Sequence, residues 1–83
     1  MGITWDVAVQ RGTPVPPSRQ IAEILRQKIS SGELPPNSKV PSRIQLAGEY
    51  GVSPETAAKA IRILREEGLV IVVSGYGTFV ASK

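Results

Sequence analysis

SPETAAKAIRILREEG, residues 53–68, is predicted to form a single α-helix with a marked start and a marked end. Ser53 can accept a backbone N–H that is otherwise unpaired at the helix start, and Pro54 suits the first helical position, where no donor is needed. Gly68 stands where a residue with positive φ ends a helix. Apolar residues recur at steps of three and four, namely Ala57, Ala60, Ile61 and Leu64. This spacing predicts one buried face.

The opposite face of the same helix carries the charged residues Glu55, Lys59, Arg62 and Glu66. A shorter amphipathic segment ends just before it, at residues 50–52. Two helices joined by a tight turn that contains glycine are typical of the helix-turn-helix motif. In that motif the second helix lies in the major groove of DNA, so the pattern predicts a DNA-binding role.

Composition limits the classes of function. The chain has 83 residues, the size of one small domain, and contains neither cysteine nor histidine. Disulfides and thiolate metal sites are therefore excluded, and the commonest general base is missing. No constellation of paired carboxylates takes its place, so we expect a protein that is not an enzyme and has no catalytic residue, metal site or cofactor. Ten Lys and Arg against seven Asp and Glu give a net charge of +3, a mild bias toward a polyanion partner.

Neither a membrane span nor a secretory leader is expected. No apolar run approaches the ~18 residues of a transmembrane helix. The N-terminus has no basic leader followed by an apolar block. The sequence therefore favours a cytoplasmic protein with no membrane partner.

Residues 1–17 are predicted to be an extended arm and linker, and residues 18–83 the folded domain. Apolar and polar side chains alternate from Ile3 to Val9, as in a strand. The three prolines among residues 14–17 forbid a regular strand or helix interior there. Trp5 can anchor the arm on the body of the same chain or belong to a self-association surface.

Two further helices precede the segment quoted first. Residues 18–31 form an amphipathic helix that Gly32 ends. After a short extended piece at residues 39–41, a second helix begins with a capping box formed by Ser42 and Gln45. Its apolar contacts are expected from Ile44, Leu46 and Ala47.

After the third helix the pattern changes from helix to strand. Residues 69–73, LVIVV, are mostly β-branched, and SGYG at residues 74–77 can reverse the chain because glycine tolerates positive φ. Residues 78–81 return as a partner strand. The predicted fold class is α+β, a winged helix-turn-helix with a three-helix core and a C-terminal β-hairpin wing.

Spaced motifs over about residues 16–81 resemble the DNA-binding domain of GntR-family transcription regulators. They are Val40-Pro41-Ser42, Leu46-Ala47, Gly51-Val52-Ser53, Thr56, Ala60, Leu64, Glu67-Gly68-Leu69-Val70 and Gly75-Tyr76-Gly77-Thr78-Phe79-Val80. Pro54 and Glu55 after the serine resemble the YtrA-like branch. The resemblance implies a sequence-specific DNA-binding regulator, usually a repressor, with residues 54–67 in the major groove. It also implies that the wing at residues 74–78 lies on the adjacent backbone or minor groove.

The candidate DNA-binding residues lie at two helix starts, on the third helix and in the wing. They are Ser42, Arg43, Ser53, Glu55, Thr56, Lys59, Arg62, Gly75, Tyr76, Gly77 and Thr78. Helix starts attract phosphates, and Lys59 can reach a phosphate or a guanine edge. Thr56 suits a phosphate or a thymine methyl group. Glu55 can accept from a cytosine amino group or simply favour the helix dipole. Gly75 and Gly77 let the backbone approach DNA closely.

Four likely phosphate or base contacts of the family are absent or altered in this sequence. Many members have an acid and then an arginine where Arg43 and Ile44 stand, and Arg43 can substitute for that arginine. Basic residues are also common where Pro54, Ala58 and Tyr76 stand. We therefore expect weaker DNA binding per domain, or recognition of a different sequence.

The expected partner is double-stranded DNA, bound by a homodimer on a two-fold operator. No effector-binding domain is expected in this chain. It can be an isolated DNA-binding part, a stand-alone protein that dimerises through its arm, or a protein that needs a partner. The alternative function is a protein–protein interaction module, suggested by Trp5, Ile44, Ile63 and Tyr76 as apolar residues expected to be exposed.

Overall fold

Three helices and three short strands make up the part of the chain that the computed structural model describes, residues 12 and 14–82. In chain order they are α1 (Pro17–Ser31), β1 (Lys39–Val40), α2 (Arg43–Tyr50), α3 (Pro54–Glu66), β2 (Val70–Val73) and β3 (Gly77–Val80). The predicted α+β winged helix-turn-helix is confirmed. The alternating stretch from Ile3 to Val9, with Trp5, lies outside the described residues, so the predicted arm stays a prediction.

Helix ends follow the sequence signals closely. α1 begins at Pro17, one residue before the predicted start, and ends at Gly32, which has a φ of 90°. α2 begins with the predicted capping box and ends at Gly51, whose φ of 67° turns the chain toward α3. Because each positive φ falls on a glycine, both turns form without the steric cost that a side chain would add.

The end of α3 is closed by paired backbone hydrogen bonds. The amide of Gly68 donates to the Arg65 carbonyl at 3.0 Å, and the amide of Leu69 donates to the Leu64 carbonyl at 3.0 Å. Gly68 has a φ of +79°. This pattern is a Schellman motif, which satisfies the last carbonyls of the helix and directs the chain straight into β2.

The sheet has three antiparallel strands in the order β1-β3-β2. β2 and β3 form the predicted hairpin, with Val70 opposite Val80 and Val73 opposite Gly77. β1 adds a third strand on the other side of β3, where Lys39 lies opposite Phe79. The sequence indicated an extended piece there but did not predict which strand it pairs with. Two residues are too few to show the alternation of polar and apolar side chains that marks a strand.

One aliphatic core joins all the elements. Its buried members are Ile21, Ala22, Leu25, Val40, Leu46, Ala47, Tyr50, Ala57, Ala60, Leu64, Val70 and Val80. Two predictions about apolar residues were wrong. Ile44 was expected to supply contacts, but it lies on the first turn of α2 away from the buried face and is 61% exposed, which agrees only with its place among the exposed apolar candidates. Ile63 was offered as an exposed candidate, but it is half-buried against the core.

Candidate nucleic-acid interface

The start of α3 is fixed by side-chain hydrogen bonds. The Ser53 hydroxyl oxygen accepts from the Thr56 amide at 3.1 Å and donates to the Thr56 hydroxyl at 3.0 Å. Pro54 occupies the first helical position and has no N–H of its own to satisfy. This end of the helix therefore presents an ordered hydroxyl pair next to the positive end of the helix dipole.

The solvent face of α3 is charged along its length. Glu55, Lys59 and Arg62 recur at steps of four and three and are all exposed, while Ala57 and Ala60 on the opposite face are fully buried. The predicted orientation of Lys59 toward solvent is confirmed. A helix held by a small-residue face in this way can lie close to the core and still offer its outer face to a partner.

The start of α2 is fixed by the predicted capping box. The Ser42 amide donates to the Gln45 side-chain oxygen at 2.9 Å, and the Gln45 amide donates to the Ser42 hydroxyl at 3.2 Å. Arg43 occupies the first helical position and is exposed. The Ser42 hydroxyl already caps its own helix. A phosphate at this helix start would therefore meet backbone amides and the Arg43 guanidinium first.

The wing ends in a tight turn between β2 and β3. The Tyr76 amide donates to the Val73 carbonyl at 2.9 Å, and Gly75 has a φ of +83°. Tyr76 is 74% exposed at the tip. Thr78 and Gly77 are half-buried at the base of the turn. The wing tip therefore offers backbone and a phenol ring to a partner, and no charge.

A cleft of about 380 Å³ separates α3 from the wing and the start of α2. Its lining residues are Lys39, Val40, Ser42, Arg43, Ala58, Ile61, Val72, Gly77 and Thr78. The cleft therefore unites four of the predicted site residues, Ser42, Arg43, Gly77 and Thr78. The others, which lie on α3 and at the wing tip, do not line it: Ser53, Glu55, Thr56, Lys59, Arg62, Gly75 and Tyr76.

Lys39 lines this cleft and was missed in the list of candidate residues. A Cβ atom placed on Gly77 would lie 3.0 Å from Lys39 Cε and 3.7 Å from its Nζ, so the lysine side chain lies directly against the base of the wing. The pairing of β1 with β3 brings it there. The signal available in the sequence was a lysine at the start of the extended piece that precedes α2.

The perturbed ionisable groups lie away from this surface. Burial raises the pKa of Tyr50 on the inner side of α2, with a further contribution from the charges of Glu49 and Glu33. A hydrogen bond from Arg26 lowers the pKa of Glu67, at the end of α3.

Residues 12 and 14–82 contain no group of three or more acidic, His or Cys side chains that could hold a metal ion. The candidate residues on α3, at the start of α2 and in the wing offer charges and hydrogen-bonding groups on the outside of the domain. Such a site suits the recognition of a partner's surface.

No helix in residues 14–82 is both long and apolar enough to span a bilayer.

Residues 17–80 match the family described as bacterial regulatory proteins, gntR family. The chain belongs to the gntR family. The predicted resemblance is confirmed, and the matched range holds α1, α2, α3 and the whole sheet.

This gntR-family domain is similar to named regulators. It is 37% identical over 71 residues to the histidine utilization repressor of Klebsiella aerogenes, covering 86% of this chain and 30% of that protein. It is 40% identical over 65 residues to the mannosyl-D-glycerate transport/metabolism system repressor MngR of Escherichia coli, covering 78% of this chain and 27% of that protein. The chain thus spans less than a third of the length of these relatives.

Two solved structures superimpose well on this domain. YtrA from Sulfolobus acidocaldarius, a GntR-family transcription factor, has a TM-score of 0.85 at 32% identity, covering 93% of this chain and 81% of that one. The AraR DNA-binding domain in complex with operator ORX1 has a TM-score of 0.80 at 36% identity, covering 87% of this chain and 90% of that one.

Proposed function

We propose that this chain binds DNA sequence-specifically as a transcription regulator and acts as a repressor in the cytoplasm. The observation that carries the proposal is the capped, outward-facing charged surface of α3 beside a wing, on a fold that superimposes on a relative solved in complex with its operator. In this proposal α3 enters the major groove and the wing meets the adjacent backbone or minor groove. The relatives are transcription regulators, so no reaction is assigned to the chain.

Helix starts supply the positioning contacts in this proposal. The first turns of α2 and α3 direct backbone amides and the positive ends of their dipoles outward, and Ser42 and Ser53 order those turns. Arg43 adds a charged donor at the first of them. These contacts fix the register of the protein on the duplex and carry no sequence information themselves.

Base readout falls to the exposed face of α3. Lys59 suits a guanine edge or a phosphate, Thr56 a thymine methyl group or a phosphate, and Glu55 a cytosine amino group. Arg62, one turn further along, contacts the backbone. At the wing, Gly75, Gly77 and Thr78 allow close approach, and the ring of Tyr76 packs on the sugar–phosphate edge.

The departures from the family pattern weaken this interface or change its sequence preference. Ile44, Pro54, Ala58 and Tyr76 offer no charge where basic side chains are common. The loss of several ion-pair contacts lowers affinity and flattens its dependence on salt, because each neutralised phosphate releases counterions. Exposed Ile44 places an apolar side chain beside Arg43 at the start of α2.

Two copies are proposed to bind one two-fold operator. A single domain of this size contacts few base pairs, and specificity comes from half-sites about one helical turn apart. The two copies would be joined by the arm at residues 1–17, by a segment outside this chain or by a partner protein.

Titration of duplex DNA at two salt concentrations, together with selection of bound sites from random DNA, tests the proposal. We expect affinity to fall as salt rises and the selected sites to be palindromic. Affinity that does not respond to salt, or selection that enriches no sequence, would contradict it.

A protein-binding role is the alternative, because Ile44 is 61% exposed and Tyr76 is 74% exposed. It predicts that a Lys59→Ala variant keeps whatever DNA affinity the chain has. It also predicts that Ile44→Ser and Tyr76→Ser variants lose a stoichiometric protein partner. Loss of DNA affinity in the Lys59→Ala variant would count against this alternative.

A further inference from the structure

The cleft between α3 and the wing lies where a DNA strand would cross the domain in the proposed binding mode. If α3 lies in the major groove and the wing contacts the neighbouring minor groove, the sugar–phosphate strand that separates those grooves passes between the two elements. This inference rests on the proposed function. The cleft is bounded on one side by Ala58 and Ile61 of α3 and on the other by Val72 and Thr78 of the hairpin.

The charge of the cleft matches that occupant. Its lining carries two cations, Lys39 and Arg43, and no acid. Hydroxyl groups of Ser42 and Thr78 lie on the same lining. Small and aliphatic side chains form the remainder, so a strand can approach the two cations without meeting a bulky side chain or a like charge.

Lys39 is held where it can serve this strand. β1 pairs with β3, and the aliphatic part of the Lys39 side chain lies over Gly77, with Cε 3.0 Å from the position of a Cβ there. A Cβ atom at position 77 would crowd the end of the lysine side chain, which would then have to shift slightly. Lys39 itself is exposed, so its ammonium can bind a phosphate without losing a partner inside the protein.

We propose that Lys39 is a DNA-phosphate contact that, together with Arg43, clamps the strand crossing between α3 and the wing. It supplies at the base of the wing the positive charge that Tyr76 does not supply at the tip. Gly77 has no side chain and leaves room for the lysine stem at the base of the wing.

The test is the salt dependence of binding to a short duplex of random sequence, since phosphate contacts do not depend on sequence. Lys39→Met removes the charge and keeps an unbranched stem over Gly77, and Lys39→Arg restores the charge. Lys28→Met is the matched control: it also removes one lysine, but from the last turn of α1, where its Nζ lies 3.9 Å from Glu33. Thermal unfolding of each variant establishes that the fold is intact.

The slope of log K against log salt is negative, and removing one phosphate contact makes it shallower by about 0.9. When salt rises from about 50 to 200 mM, the affinity of the wild type should therefore fall by a factor about 3.5 times larger than the affinity of Lys39→Met. Lys39→Arg and Lys28→Met should keep the wild-type slope. A wild-type slope in a folded Lys39→Met variant, or an equal reduction in Lys28→Met, would overturn the assignment and leave the DNA-binding function standing. A wild-type protein without any salt dependence would instead refute that function.

Discussion

Arg26 of α1 holds the carboxylate of Glu67, just after α3, through two parallel hydrogen bonds. Its Nε donates to Oε1 at 2.9 Å and its Nη2 to Oε2 at 2.7 Å. The side chain of Glu23, one turn earlier on α1, contacts the same guanidinium. The two bonds join the scaffold helix to the end of the helix proposed to read DNA. Both partners are partly exposed, so water and salt weaken the attraction between them.

The Arg26–Glu67 pair should make the stability of the fold depend on pH, with a loss of stability in acid. The hydrogen bond from Arg26 lowers the pKa of Glu67 in the folded protein. Its stabilising effect is therefore complete above the unfolded-state value of about 4.3 and disappears as pH falls through the lowered pKa. We expect Glu67→Gln to reduce Tm at neutral pH, with a difference from wild type that shrinks in acid. Glu66→Gln, which removes the same charge from the neighbouring exposed residue, should show no such convergence. A constant difference across pH for Glu67→Gln would contradict the role of the pair.

Two glycines with equal space around them should respond in opposite directions to alanine. Neither Gly68 nor Gly48 has an atom within 4 Å of an added Cβ. Gly68 has a φ of +79°, whereas Gly48 lies inside α2. We expect Gly68→Ala to destabilise the fold by about 1 kcal/mol and Gly48→Ala to stabilise it by about 0.5–1 kcal/mol. Chemical denaturation measures both. The same sign for both would show that backbone conformation does not decide these sites.

Sequence alone predicted the helix boundaries because their determinants are local. Ser53 and Gly68 act on the turns beside them, and their caps appear in the structure as expected. Lys39 was missed because its position depends on the pairing of β1 with β3, some forty residues later in the chain. A strand of two residues is too short for its sequence pattern to predict such a pairing. Ile44 was misjudged for a related reason. At the first turn of a short helix, the direction of a side chain is set by how the helix meets α3, and the apolar residues Ile44, Leu46 and Ala47 do not specify it.

Substitutions at Ser53 should separate its role as a helix cap from its role in DNA binding. Its hydroxyl accepts from the Thr56 amide, a bond that Asn and Asp can replace. We expect Ser53→Ala to cost about 1 kcal/mol of stability, and Ser53→Asn and Ser53→Asp to cost much less. DNA affinity should stay near wild type in Ser53→Asn and fall in Ser53→Asp, because the added carboxylate repels a phosphate at the helix start. Equal affinity for the Asn and Asp variants would place this helix start away from the DNA backbone.

Lys59 should contribute to DNA binding and very little to folding. It is exposed on α3, on the face opposite Ala57 and Ala60, and surface substitutions of this kind change stability by no more than about 0.5 kcal/mol. We expect Lys59→Gln to keep the wild-type unfolding midpoint and to bind duplex DNA more weakly. Selection from random DNA then identifies the contact. A guanine contact relaxes the preference at one base pair by about 1–3 kcal/mol, whereas a phosphate contact lowers affinity uniformly and reduces the salt slope by about 1. Arg65→Gln removes one charge from the last turn of the same helix and serves as the control. An equal loss of affinity in both variants would point to net charge, and not to α3 in the groove, as the source of binding.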